Sequence, residues 1–302
     1  MTEELIFCVD FSWLYYRSRF AFSSLTFEVK GLKYATGTIH GIYEALFTIM
    51  ESYGRNTKIL LCLDGESVKQ NAIDNSYKSG RDGLSGDQDV FDISRWDIAK
   101  HFLPLPNVTI VWHGKMEADD TMAYIAKTKK ENEKIILFSG DGDLRQEIST
   151  KNNVFCANTY TRGDGYAFED EKHLFEKGIK DLAGLKPESV ALFLAIVGDS
   201  SDNINGIPRF RRAVAKDLAN ECLTLDRLKD LVSSERNNGK YDKNLDLIKE
   251  NIQTVIRNWK MIKLDPLFIP SFYSLKDFTD IDIEWFNTYG CSKAYSDMRA
   301  II

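Results

Sequence analysis

The chain of 302 residues is 43% hydrophobic and 28% charged, with a formal net charge of −6, values ordinary for a soluble globular protein with one sizeable domain and a smaller one. No apolar run approaches the ~20 residues of a membrane span, which excludes a membrane partner, and the acidic start MTEE runs straight into a strand rather than a signal peptide. Cys8, Cys62, Cys156, Cys222 and Cys291 are scattered with no CxxC, as expected of core thiols in a reducing cytoplasm.

Glu4–Asp10 reads as a buried strand. FSWLYYRSRFAF follows as a helix or turn that brings Tyr16, Arg17 and Arg19 near the strand's end. Residues 38–53 predict an amphipathic helix: Ile39, Ile42, Tyr43, Leu46, Ile49 and Met50 share a face, Thr38 can cap it and Gly54 ends it. Lys58–Asp64 is a second strand. Residues 69–92 are polar and rich in Gly, Asp and Ser, the composition of a long mobile loop or a marginal helix. A helix over about 92–102 precedes LPLP, Val108–Trp112 is a third strand, and Glu117 opens the next helix. Lys134–Ser139 and Val154–Ala157 read as strands around a short helix over 143–150. Such alternation implies an α/β fold, a parallel sheet with helices on both faces, whose ligands bind at the carboxyl ends of the strands. From Pro187, which suits a first helical position, the pattern turns helical. SVALFLAIVGD is too apolar for a surface helix, GDSSDNINGIP is a loop and RFRRAVAKDLAN a basic helix, with further helices over 225–232 and 244–263. Residues 265–302 read as a helical tail. The expected division is an α/β domain over 1–185 and a helical domain over 186–302.

Acidic residues recur where these strands end or helices begin: Asp10, Asp64, Glu117 with Asp119 and Asp120, Asp141 with Asp143, and Asp199 with Asp202. Each cluster alone has a plain reading. A lone Asp after a strand caps or turns, and acids in a helical first turn answer the macrodipole. SGDGD resembles a calcium loop but lacks the longer ligand run and closing Glu of an EF-hand. Together they demand neutralisation, because carboxylates gathered in one pocket are destabilising unless countered. Mg²⁺ or Mn²⁺ meets that demand with oxygen ligation, and so many carboxylates suit two ions, the arrangement for in-line cleavage of a phosphodiester. Once these acids are committed to metal, the rest no longer outnumber the 39 Lys and Arg, so the net charge does not exclude nucleic acid. His40, His101, His113 and His173 form no ligand spacing, and no GxxxxGK[ST] segment occurs.

In order along the chain, VDFSWLYYRS, TGTIHGIY, LCLDG, YKSGR, EADDTMAYIA, FSGDGDLRQ and VGDSSDNINGIP resemble the 5′-nuclease (flap endonuclease) family, which includes the 5′-nuclease domain of bacterial DNA polymerase I and phage 5′ exonucleases. The likeness covers about residues 5–220, and EADD, SxDxDxxQ and GDxSDN in this order are its specific motifs. The C-terminal helical part, with NWKMIKLD, is most similar to the phage members, among them phage T4 RNase H. The resemblance implies a PIN-like 5′-nuclease fold with a helical arch over about residues 69–100. A helix-three-turn-helix-like DNA-binding motif would lie in the second domain. It also implies that Asp10, Asp64, Glu117, Asp119 or Asp120, and Asp141 surround a first metal. Asp143, Asp199 and Asp202 would serve a second, partly through water.

By the same resemblance, Tyr77, Lys78 and Arg81 stand at the base of the arch. Lys78 and Arg81 can touch the scissile phosphate and Tyr77 can stack on an unpaired base. An upstream Arg common in the family is not at the matching spacing, where Lys69 and Gln70 stand. NINGIP, with Gly206, is similar to the start of the motif that grips duplex backbone through main-chain N–H groups. Relatives continue with a Gly-x-Gly hairpin, but this chain has Pro208 to Arg212, PRFRR. The missing glycines remove the close approach to phosphate and put a potassium (K⁺) site there in question. Arg209, Arg211, Arg212 and Lys216 can substitute by direct, salt-dependent phosphate contacts. Arg17 is a further candidate for such a contact.

The expected function is that of a divalent-metal 5′→3′ exonuclease or flap endonuclease of the cytoplasm. It would act on DNA with a 5′ flap or 5′ end and, by resemblance, on RNA–DNA hybrids in primer removal. A sliding clamp and a single-strand-binding protein are expected replication partners. The rivals are a PIN-like ribonuclease, which would not need the basic helix or the Asp199/Asp202 pair, and a non-catalytic structure-specific DNA-binding protein, which would be expected to lack some of the carboxylates.

Overall fold

The computed structural model describes residues 3–74, 77, 89–159, 165–179, 181–234 and 241–302. Its central sheet has seven strands, in spatial order Ser271–Tyr273, Val108–Trp112, Lys58–Leu63, Glu4–Asp10, Glu133–Phe138, Val154–Asn158 and Ala167–Glu169. The five inner strands are parallel and both edge strands antiparallel. Ile6–Val9, Ile59–Leu63 and Ile135–Phe138 are buried throughout, since a parallel sheet covered on both faces wants apolar residues at every position. Phe7 and Val9 point to a core shared with helices Phe11–Ala21, Gly37–Tyr53, Arg95–His101, Glu284–Thr288 and Ser292–Ile301. Ile6 and Cys8 alternate to the other core, under Ala118–Thr128 and Val190–Val197. That second core continues without a break into Arg212–Cys222, Leu225–Ser233, Asp242–Glu250 and Ile252–Ile262.

Strand order places the site. From Glu4–Asp10 the chain moves outward through Lys58–Leu63 to Val108–Trp112, then returns to the other side of the first strand with Glu133–Phe138. Such a reversal opens a crevice at the strands' carboxyl ends. Asp10, opposite Cys62, ends its strand there, and residues 139–143 leave the neighbouring strand.

Several expected boundaries differ. The helix over 92–102 is Arg95–His101, that over 143–150 is a single tight turn at Asp143–Glu147, and that over 244–263 divides at Asn251. Thr38 is not a cap: the helix already begins at Gly37, and the buried Thr38 hydroxyl has no hydrogen-bond partner among the described residues. Residues 265–302 are more than a helical tail. Ser271–Tyr273 completes the sheet edge, with Tyr273 opposite Ile110, and Phe286 packs edge-on against Phe102. A three-residue strand is too short to show a period, which is why it escaped notice. So did the hairpin Phe27–Val29/Leu32–Tyr34, turned by Lys30 and Gly31 at φ 51° and 80°. Among the described residues no helix is long and apolar enough to cross a membrane.

Candidate active site

Asp10 is held from both sides. One carboxylate oxygen accepts the Trp13 N–H at 2.9 Å and caps the following helix; the other accepts the Ser139 hydroxyl at 2.8 Å. Ser139 Oγ in turn accepts the Asp141 N–H at 3.0 Å, and Asp141 Oδ1 accepts the Asp143 N–H at 3.2 Å. One hydroxyl therefore ties the end of the first strand to the acidic loop beside it. Asp64 accepts the Ala118 N–H at 2.8 Å, which brings the start of the Glu117 helix to the same place. Burial pushes the Asp10 carboxyl up to about 7, and the charges of Asp64 and Asp141 add to the rise against the hydrogen bonds from Trp13 and Ser139.

A second group gathers around Tyr77. Its hydroxyl lies 2.8 Å from Glu117 Oε2 and 2.9 Å from Asp202 Oδ2. Burial first, then the charges of Glu117, Asp202 and Asp119, drive the phenol far above its ordinary range. Asp143 and Asp199 line an adjoining cleft of about 590 Å³ together with Gly142, Asp181 and Arg212. Asp199 also caps its own turn by accepting the Ser201 N–H at 2.8 Å.

Asp120 is buried 3.7 Å from Lys69; burial raises its carboxyl, Lys69 opposes the rise and Glu117 adds to it. The charge of Asp119 acts on the Tyr77 hydroxyl. Among the described residues no three of these side chains form a ready-made cluster that could hold an ion. The donor set still fits hard divalent ions. All its ligating atoms are oxygens, and the Asp10 carboxyl, raised first by burial and then by the charges of Asp64 and Asp141, stands where a cation would relieve it.

The basic candidates separate. Lys78 and Arg81 lie outside the described residues. Tyr77 is only 7% exposed and offers no face to a base, contrary to the stacking role expected of it. Arg17 donates to the Thr159 carbonyl at 3.0 Å and lies over the Trp13 ring, and Lys216 donates to the Ala183 carbonyl at 2.6 Å; both are tied to the fold. Arg212 pairs with Asp181 at 3.0 Å, whereas Arg209 and Arg211 are exposed ahead of the basic helix, which begins only at Arg212. Gly206 is dictated by packing, since a Cβ there would meet the Val197 carbonyl carbon at 2.1 Å. Gly206→Ala is expected to cost about 3 kcal/mol of stability, read from urea unfolding; a loss below ~1 kcal/mol would show that the loop can yield.

Two cations of the site were not foreseen. Arg95 donates to Ser12 Oγ at 2.9 Å and stands 3.3 Å from Asp64, with its guanidinium over Tyr16. The available signal was a cation at the first position of a helix, where the dipole disfavours it. Arg145 is wholly buried. It pairs with Glu169 at 3.1 Å and donates to the carbonyls of Ser139 (3.2 Å) and Asp141. Glu169 lies on the three-residue strand Ala167–Glu169, too short to show a period, so nothing in the sequence marks this pair.

The family model described as 5′-3′ exonuclease, N-terminal resolvase-like domain, matches residues 5–177. The chain belongs to this family of 5′-3′ exonucleases. Among curated relatives, the Buchnera aphidicola (subsp. Acyrthosiphon pisum) 5′-3′ exonuclease is 25% identical over 283 residues, covering 90% of each chain. The Bacillus subtilis 5′-3′ exonuclease is 26% identical over 236 residues, 77% of this chain and 75% of that one. Bacillus subtilis DNA polymerase I is 27% identical over 242 residues, which is 76% of this chain but 24% of the polymerase. Among solved structures, the phage T5 D15 protein co-crystallised with metal ions shares the fold at TM-score 0.60 and 19% identity, covering 99% of both chains. A T5 flap endonuclease complex with DNA and metal ions aligns at TM-score 0.58 and 19% identity over 99% of this chain and 98% of that one. This 5′-3′ exonuclease family member thus carries Asp10, Asp64 and Asp141 where the strand order reverses.

Proposed function

We propose that the chain is a divalent-metal-dependent 5′→3′ exonuclease and flap endonuclease, hydrolysing phosphodiesters near the 5′ ends of duplex or flapped DNA. The observation that carries this is the placing of Asp10 and Asp64 at adjacent strand ends, with Asp10 tied to Asp141 through Ser139 and with Glu117 and Asp202 joined through Tyr77. Asp10, Asp64, Glu117, Asp119 or Asp120, and Asp141 would hold one ion and Asp143, Asp199 and Asp202 the other, Mg²⁺ by preference with Mn²⁺ substituting. Bound there, the ions supply the charge that readies a water and steadies the departing oxygen. Around them Ser139 fixes Asp10 relative to Asp141, and Arg95 holds Asp64 from the solvent side. Lys78 and Arg81 would meet the scissile phosphate, and the exposed Arg209 and Arg211 the duplex backbone. Removal of RNA from RNA–DNA hybrids, a cytoplasmic role in replication, and contacts with a sliding clamp and a single-strand-binding protein belong to the same proposal.

The test is cleavage of a 5′-labelled flap with Mg²⁺, beside single-stranded RNA. Asp141→Asn is expected to lower flap cleavage at least about a hundredfold. Undiminished activity in that variant, or preference for the RNA, would refute the assignment.

A further inference from the structure

Helix Ile252–Ile262 takes no part in the site described above, yet it carries a wholly buried carboxamide, Asn258. Asn258 Nδ2 donates to the carbonyls of Ala195 at 3.0 Å and Asn205 at 2.9 Å. Its Oδ1 accepts from Arg257 Nε at 3.3 Å and Nη2 at 3.1 Å. Arg257 Nη1 reaches Asp74, the residue that ends the Val68–Ile73 helix, at 3.4 Å.

The two carbonyls flank one loop. Ala195 lies in the last turn of the Val190–Val197 helix, where carbonyls lose their helical partners. Asn205 lies on the short strand that returns after Asp199 and Asp202. Between them Gly198 and Gly206 pass so closely that neither tolerates a Cβ. The two donors of one side chain therefore close the neck of the loop that bears both acids. A buried polar group of this kind stabilises only when saturated, and its replacement by an apolar one strands two carbonyls.

We infer that Asn258 is a positioning residue for the nuclease reaction. It fixes the Asp199/Asp202 loop to the helix whose Arg257 reaches Asp74 at the end of Val68–Ile73. The inference rests on the metal-binding reading of Asp202, and the test separates the two.

Full-length Asn258→Leu, which keeps the branched shape and removes both donors, is compared with wild type and with Asp202→Asn. The Mn²⁺ dissociation constant by calorimetry and the half-saturating Mn²⁺ for flap cleavage are each expected to rise about tenfold, with the rate at saturating Mn²⁺ largely retained. In EDTA, amide hydrogen exchange over residues 198–206 is expected to quicken. A lower melting temperature with unchanged Mn²⁺ affinity and unchanged exchange over that loop would overturn the inference. Unchanged affinity in Asp202→Asn would instead remove the metal reading, leaving loop exchange to decide for or against the clamp. Should Asn258→Leu not fold, Asn258→Ser, which keeps one donor in a smaller side chain, takes its place.

Discussion

Glu169→Ala is expected to lower the unfolding free energy by about 3–5 kcal/mol, because it leaves the Arg145 guanidinium buried without its counter-charge. Both side chains are essentially inaccessible, with 1% and 0% exposure. The same guanidinium donates to the carbonyls of Ser139 and Asp141, so its displacement disturbs the loop that carries Asp141 and Asp143. Cleavage and stability should therefore fall together. The double variant Arg145→Met with Glu169→Leu separates the two effects. An apolar pair of similar volume restores much of the stability, but Met cannot donate to the two carbonyls. Urea unfolding at constant m, with flap cleavage titrated against Mn²⁺, gives both readings. A cost below ~1 kcal/mol for Glu169→Ala would show that water reaches the pair.

Asp10→Asn is expected to abolish most cleavage, about a thousandfold or more, while making the protein more stable in EDTA. The carboxyl of Asp10, raised to about 7 by burial and by Asp64 and Asp141, keeps its proton in the folded state between the ordinary carboxylate range and neutrality. The folded protein then binds more protons than the unfolded chain, so this group's contribution to stability is full at low pH and is lost as pH rises through about 7. Asparagine keeps the acceptor for Trp13 and never pays that cost. At pH 8 in EDTA the variant should gain on the order of 1–3 kcal/mol, and at pH 4 almost nothing. Thermal melts across this range decide. Equal pH slopes in the two proteins would mean that Asp10 does not carry the strained charge.

The sheet was legible because its inner strands are largely apolar runs, two of them closed by Asp10 and Asp64. The bounds of Glu4–Asp10 and Val108–Trp112 follow from those runs. The acids were legible as a set, since Asp10, Asp64 and residues 139–143 follow strands that the βα alternation makes neighbours. Their individual orientations were not. Asp119 and Asp120 are adjacent in a helical turn, and nothing in the sequence shows that Lys69 stands 3.7 Å from the second of them. Tyr77 reads as an exposed loop aromatic until Glu117 and Asp202, 40 and 125 residues distant, close over its hydroxyl. Lys216 looks like a free cation on a basic helix until the Ala183 carbonyl is found beneath it. Periodicity reports which face of an element is buried, and it is silent on which polar partner waits there.

The strand Ser271–Tyr273 closes a sheet whose other six members all lie before residue 170. During synthesis the Val108–Trp112 strand must therefore wait, with an open hydrogen-bonding edge, while some 160 further residues emerge, about ten seconds or more at ribosomal pace. The nascent nuclease passes through a sticky, half-built stage, and the helices from Val190 to Ile262 are made before that margin is sealed.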